Sequence, residues 1–158
     1  MYSLGRFLIL ILPVFYMYLI WQQTSHFDPE SVSWLSTVLS DAVILAIGAT
    51  LELAHLFEFG ILYFLVILAL LSYGHLSKLK EILAIFISLL YGLTDEIHQL
   101  FVPFRSFSII DLIKNAIGVF AIWIIINKKY YSKKHSRLGS FLSGITKFFK
   151  MDSNNVPF

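Results

Sequence analysis

The sequence predicts an all-α integral membrane protein, built as a bundle of four transmembrane helices. Only 14% of its 158 residues are charged and 58% are hydrophobic, whereas a soluble domain carries about a quarter charged residues. The mean hydropathy is +0.77, and uncharged apolar stretches recur along the chain, which is typical of multi-pass membrane proteins. The length allows one small bundle. The absence of cysteine excludes disulfides, thiolate metal sites and a cysteine nucleophile.

Four apolar stretches predict the spans, at about residues 7–21, 55–73, 82–101 and 108–126. The first stretch follows a single arginine, so a signal peptide is the alternative interpretation. We favour a membrane helix because no small-residue cleavage site follows. In addition, Trp21 and the two glutamines after it are typical of an interfacial anchor.

The distribution of Lys and Arg predicts the orientation of the bundle. No basic residue lies between Phe7 and Ser77. Arg6, the lysines after Ser77 and the basic residues from Lys128 onward therefore fall on one side of four alternating helices. The positive-inside rule assigns that side to the cytoplasm. Both termini are then cytoplasmic, and an extracytoplasmic segment lies between helices 1 and 2.

Two segments beside the spans leave alternatives open. In the extracytoplasmic segment, residues 42–51 form an apolar stretch that either packs at the membrane interface or continues into the second helix. Residues 128–158 form a basic cytoplasmic tail after a membrane domain of residues 1–127. This tail either rests on anionic lipid or ends the chain without a fold. The pI of 8.8 comes mostly from this tail, so it does not indicate a nucleic-acid partner.

The apolar parts of three spans are too short for a membrane. A helix needs about 20 residues to cross a hydrocarbon core of about 30 Å. The uncharged runs at residues 59–74, 82–94 and 116–126 contain 16, 13 and 11 residues, which extend about 24, 20 and 16 Å. Polar residues continue each run on its outer side. Three shortfalls on one side predict a shared polar pocket that opens outward in the outer leaflet.

The residues predicted to line this pocket are polar or charged, and most occur in pairs spaced i, i+3 or i, i+4 on one helix face. They are His55, Glu58, Glu96, Gln99, Arg105, Asp111 and Asn115. Arg105 is the basic residue of the outer turn, and we expect it to bind a phosphate or carboxylate or to pair with an acid. Asn115 is expected to form hydrogen bonds across helices. Gly118, on the same stripe, allows close backbone approach.

Two further predictions concern the ends of the helices that meet at this pocket. Ser108 and Asp111 have the spacing of a capping box at the start of the fourth helix. Asp95 is either part of the polar pocket or a solvated helix end, and His98 is expected at the membrane interface because its phase differs from that of Gln99.

The pocket residues also carry a resemblance to a known family. Residues 96–118 contain an acidic E-x-x-Q pair, a turn with proline and arginine, and an S-x-x-D-x-x-x-N-x-x-G run. This order resembles one signature of VanZ-like membrane proteins. Their second signature, K-x-x-H-x-x-E-aromatic, is similar to residues 52–59, although Glu52 replaces the usual basic residue and Phe104 replaces the usual glycine before Arg105. The resemblance covers about residues 5–127. It implies a multi-pass protein of the bacterial plasma membrane, from a family named for tolerance to the glycopeptide teicoplanin.

The pocket and the resemblance together predict a non-enzymatic envelope protein. Its pocket is expected to recognise a lipid-linked wall precursor, a lipid headgroup or an acylated antibiotic. Arg105 holds the anionic group in this hypothesis, and Glu96, Gln99, Asp111 and Asn115 orient it. The expected partners are membrane lipids or a lipid-linked cell-wall precursor, and a homo-oligomer is compatible with the small bundle. No cofactor is predicted.

Three alternatives stay open at this point. The first is an intramembrane hydrolase or transferase, with Glu96 as general acid or base and with His55 and Glu58 assisting it or holding a metal. No serine elbow, HExxH motif or phosphate loop accompanies them, and no metal site is predicted. The second is a proton-coupled transporter. The third is that the polar groups only lock the bundle.

Overall fold

The computed structural model describes residues 2–26, 34, 38–103, 105–132 and 136–153. Within these residues the chain forms no strand, and five helices have described bounds, which confirms the all-α prediction. The helices are α1 Tyr2–His26, α2 Asp41–Leu71, α3 Lys78–Gln99, α4 Ile109–Tyr130 and α5 Arg137–Ser153. Because α2 is continuous from Asp41, residues 42–51 continue into the second predicted span. Glu52 and Phe104, the two departures from the family signatures, lie outside the described side chains.

Three helices are long and apolar enough to cross a membrane, namely Leu4–His26, Leu53–Leu71 and Ile109–Tyr130. They correspond to three of the four predicted spans. The remaining one lies in α3, which carries an acidic residue in its first turn and two in its last. All three of these acidic side chains are at most 5% exposed, so α3 directs its charges into the bundle. The count of four spans stays a prediction.

Helix α2 lies at the centre and packs against all four of the other helices. Its buried stripe has the i, i+3, i+4, i+7, i+8 spacing of a helix with one apolar face, and consists of Phe59, Leu62, Tyr63, Val66 and Ile67. This stripe holds the core together and positions the residues one turn before it, at the site described below.

Two glycines allow α2 and α4 to approach closely. A Cβ atom placed on Gly118 would lie 2.0 Å from the carbonyl oxygen of Leu56, and one on Gly60 would lie 3.2 Å from the carbonyl oxygen of Gly118. No side chain fits between these backbones, as the sequence predicted for Gly118. The close seam sets the distance between the polar residues of α2 and those of α4.

The basic tail contains a helix that folds back onto the bundle. Leu142 and Phe149 of α5 are at most 2% exposed, and an Nη atom of Arg6 donates to the carbonyl oxygen of Phe149 at 3.3 Å. The guanidinium also lies 5.5 Å from the ring centroid of Tyr73 at the end of α2. The start of α1, the end of α2 and α5 therefore meet at one end of the molecule.

Candidate functional site

Two adjacent carboxylates in the last turn of α3 form the centre of the candidate site. Asp95 and Glu96 are both 0% exposed, so the solvated-end interpretation of Asp95 is wrong. Asp95 accepts hydrogen bonds from the Thr24 hydroxyl at 2.9 Å and from the Gln99 amide at 3.3 Å. Glu96 accepts from the same amide at 3.2 Å and from the Ser108 backbone N–H at 3.0 Å. Three helix ends thus converge on one acidic pair.

The last turns of α1 supply contacts that sequence reasoning missed. The Trp21 ring stacks on His98, with centroids 3.5 Å apart and planes inclined by 14°. The Ser25 hydroxyl lies 3.4 Å from His98 Nε2, and Gln23 donates to Glu58 of α2. The available signal was a run of polar residues directly after Trp21, where an apolar span ends. The sequence prediction treats Trp21 and the two glutamines after it as an interfacial anchor only.

The start of α4 is tied to the acidic pair through its N-cap. Ser108 has extended backbone angles, and its hydroxyl accepts from the Asp111 N–H at 3.2 Å. This confirms the N-cap that the capping-box spacing predicted. Asp111 in turn accepts from Lys114 Nζ at 2.8 Å. The cap uses the hydroxyl of Ser108, and the backbone N–H of the same residue donates to Glu96.

Six of the seven predicted pocket residues lie in one region, at two depths. Glu96, Gln99 and Asn115 are at most 2% exposed, so at these three side chains the site is closed and not an open recess. His55, Glu58 and Asp111 form an outer layer with side chains that are 15%, 14% and 21% exposed. Arg105 lies in the turn between α3 and α4 and is partly buried.

The amide of Asn115 differs from the expectation. Neither its nitrogen nor its oxygen has a hydrogen-bond partner among the described residues, although we expected bonds across helices. The amide nitrogen lies 3.3 Å from the position of a Cβ on Gly92, next to the Phe59 ring. Gly92 precedes Glu96 by one helical turn, so the amide lies one layer beneath the acidic pair.

His55 joins the acidic pair. One ligand atom from each of His55, Asp95 and Glu96 lies within 4.8 Å of the others, and His55 Nδ1 is 3.9 Å from Glu58 Oε2. From the sequence, His55 and Glu58 formed a candidate pair because they share a helix face. The pairing of His55 with acids forty residues away depends on how α2 and α3 pack.

A third buried carboxylate lies at the other end of α3. Glu81 is 5% exposed and accepts hydrogen bonds from the Trp123 indole and the Asn127 amide, both at 2.9 Å, and from the Tyr131 hydroxyl at 2.8 Å. Partial burial and the bond to Glu81 raise the pKa of the Tyr131 phenol to about 12, so it stays a donor at neutral pH. Sequence reasoning missed this cluster because its four residues are distributed over two helices.

Comparison with known proteins agrees with the resemblance in the sequence. The model of the VanZ/LLP1 family matches residues 2–130, a range that contains α1 to α4 and both signature segments. No curated protein and no solved structure matches the chain.

Proposed function

The chain belongs to the VanZ/LLP1 family, and on that premise we propose that it recognises the anionic headgroup of a lipid-linked or acylated ligand at the outer face of the bacterial plasma membrane. In this proposal α3 also spans the membrane, which gives four spans, and both termini are cytoplasmic. The ligand is a lipid-linked wall precursor or an acylated glycopeptide such as teicoplanin. Tolerance to that drug follows from capturing it, or its target, at the bilayer surface.

The observation that carries the proposal is the convergence of polar groups at one end of an apolar bundle. Residues of α1, α2, α3 and α4 meet around Asp95 and Glu96. Ionisable groups at membrane depth are costly and usually serve a function. Such a cluster, with a partly exposed outer layer, is suited to orienting a polar group that arrives from outside.

The orientation is supported by the distribution of charge between the two ends. Arg6 and α5, with its exposed Lys147 and Lys150, lie at the end opposite to the acidic pair. Lys80 lies at that end too and donates to the carbonyl oxygen of Leu70 at 2.9 Å. The positive-inside rule assigns this basic end to the cytoplasm, and the acidic end then faces outward.

Arg105 is the residue that we assign to the anionic group. A guanidinium matches the geometry of phosphate and carboxylate oxygens and can hold them through two parallel hydrogen bonds. The turn that carries Arg105 is flanked by apolar side chains at least 67% exposed, namely Phe101, Ile109 and Ile110. These side chains suit the acyl part of an amphiphile, while Arg105 suits its headgroup.

The test compares lipid retention and drug tolerance among three charge variants at equal abundance. Arg105→Ala is expected to lose co-purifying anionic lipid at least tenfold in native mass spectrometry, and to lose teicoplanin tolerance in a sensitive host. Arg105→Lys is expected to keep part of both. Lys128→Ala, which removes an exposed cation from the opposite end of α4, is the matched control. Unchanged lipid and tolerance in Arg105→Ala would contradict the proposal.

An intramembrane hydrolase or transferase is a second candidate, favoured by one observation. His55 lies within reach of the buried Asp95 and Glu96, and such a set can move protons in acid–base catalysis. Incubation with a lipid-linked phosphate ester distinguishes the two functions. Turnover that Glu96→Gln abolishes identifies an enzyme, whereas retention of the intact ester identifies a binding protein.

A further inference from the structure

The charge of the acidic pair is not balanced by the groups that bind it. The hydrogen bonds to Asp95 and Glu96 within the described residues come from a hydroxyl, a side-chain amide and a backbone N–H. All of these donors are neutral, and both carboxylates are 0% exposed. Burying a carboxylate without a compensating charge is costly, and two adjacent ones also repel each other. Positive charge would therefore stabilise the pair, and His55, which lies next to it, can supply one unit.

The second observation is the amide of Asn115. It is 1% exposed and has no hydrogen-bond partner in the described chain, whereas buried polar groups in native proteins are nearly always paired. Side chains on a helix lean toward its N-terminus. The Asn115 amide nitrogen lies beside Gly92, one helical turn beneath the acidic pair, and this lean directs the side chain toward the pair. The unpaired amide oxygen is therefore a candidate ligand from the layer directly below.

We propose that His55, Asp95, Glu96 and the Asn115 amide oxygen bind one divalent transition-metal ion, of the Mn²⁺ or Zn²⁺ type. One imidazole nitrogen with carboxylate and carbonyl oxygens is a ligand set that suits these ions. Ligand atoms around a tetrahedral zinc ion are about 3.4 Å apart, so the three groups, which lie within 4.8 Å of one another, must close by up to about 1.4 Å. Each carboxylate oxygen keeps a lone pair for the ion beside its hydrogen bond.

This inference deepens the proposed function, on which its role in ligand recognition rests. Two uncompensated carboxylates would repel an anionic headgroup, and an ion of charge +2 cancels that repulsion. Glu58 Oε2, 3.9 Å from His55 Nδ1, would need to approach by about 1 Å to orient the imidazole through a hydrogen bond, as carboxylates commonly do for metal-binding histidines. Binding of the ion itself needs no headgroup, so the two proposals can fail separately.

The test uses the full chain without a polyhistidine tag, purified in detergent, stripped with EDTA and titrated with MnCl₂ or ZnCl₂. We expect one ion per chain and a rise in Tm of about 5 °C or more at saturation. Electron spin-echo spectroscopy of bound Mn²⁺ is expected to show nitrogen coupling that His55→Ala abolishes. Asp95→Asn, Glu96→Gln and Asn115→Leu are expected to weaken binding at least tenfold. Glu81→Gln, which alters the other buried carboxylate of α3, is the matched control and should bind normally.

Several outcomes overturn the metal site. They are the absence of stoichiometric binding of either ion, undiminished binding in Glu96→Gln, and bound Mn²⁺ without nitrogen coupling. The Arg105→Ala variant distinguishes this inference from the proposed function, because that variant is expected to bind the ion and to lose the lipid. A wild-type chain that retains lipid but binds no ion would end the metal proposal and leave the proposed function standing.

Discussion

The two ends of α3 bury carboxylates in opposite ways. At one end, Glu81 accepts three hydrogen bonds from side chains of α4 and its immediate C-terminus. At the other end, Asp95 and Glu96 lie side by side and accept two hydrogen bonds each, and the nearby amide of Asn115 has no partner among the described residues. Both arrangements are almost completely buried, so burial alone does not distinguish them.

The difference lies in how completely the polar groups are satisfied. A buried network with every donor and acceptor paired makes a helix pair rigid, whereas a partly satisfied one is costly. The Glu81 cluster is therefore suited to joining α3 and α4 permanently. The acidic pair, in contrast, is expected to be stabilised when a cation binds to it. The four predictions below test this contrast, in order of decreasing effect.

The largest effect on stability is expected from Gly118→Ala, which should disrupt the site at one end of α3 and leave the cluster at the other end. A methyl group 2.0 Å from the Leu56 carbonyl oxygen forces α2 and α4 apart, at a cost of about 3 kcal/mol or more. The outer site should be lost because it needs α2, while the Glu81 cluster needs only α3 and α4. Thermal unfolding in detergent measures the loss. Gly144→Ala is the control, since nothing lies within 4 Å of its Cβ position, and equal Tm values for the two variants would refute the close seam.

Glu81→Ala is expected to destabilise the protein by about 3 kcal/mol, because it leaves three donors without their acceptor. Glu81→Gln keeps one acceptor oxygen and should cost about 1 kcal/mol. Chemical unfolding followed by tryptophan fluorescence reports both values, and Trp123 senses the cluster directly. If the alanine variant were as stable as the wild type, the inner cluster would not join the helices as we infer.

Asn115→Leu should change the free energy of unfolding in the opposite direction, toward higher stability. Replacing an unpaired buried amide with an apolar side chain of similar size is expected to stabilise the EDTA-treated protein by about 1–2 kcal/mol. The order should reverse with saturating Mn²⁺, because only the wild type gains from the ion. Paired Tm measurements with and without the metal check this. A loss of stability in EDTA would show that the amide is already satisfied.

The smallest effect is expected at the helix caps of the two ends. Ser108→Ala removes the cap of α4 and should cost about 1 kcal/mol. Ser77→Ala removes the cap of α3, where the Lys80 N–H lies 3.4 Å from the hydroxyl, and should cost less. The Tm values of both variants are measured by thermal unfolding, with Ser106→Ala, at an exposed position, as a neutral reference. A larger loss at Ser77 would reverse the expected order.

Much of the fold and part of the site could be predicted from local properties of the chain. The apolar stretches predicted four spans, of which three are helices of spanning length in the structure, and the spacing of Ser108 and Asp111 indicated the N-cap. Spacing also placed Glu96 and Gln99 on one face, and they do form a hydrogen bond. Each of these features depends on residues within about one helical turn of each other, so the sequence is sufficient.

Other features of the site could not be predicted, because they depend on contacts between distant helices. Thr24 gave no signal that it would meet Asp95, which is 71 positions away. Trp21 had the pattern of a membrane anchor, yet its ring stacks on His98. Glu81 in a first helical turn indicates only a favourable dipole contact, and its three partners come from the far half of α4.

The sequence by itself determined that this chain is an α-helical protein with apolar helices of membrane length, a polar end and the signatures of its family. Those properties follow from hydrophobic periodicity, charge and short-range spacing. Only the tertiary structure decided which carboxylates are buried side by side, which are fully paired and which amide has no partner within the described part of the chain. The physical reason is that burial and hydrogen-bond satisfaction depend on the rotation and depth of each helix against its neighbours, which no single segment encodes.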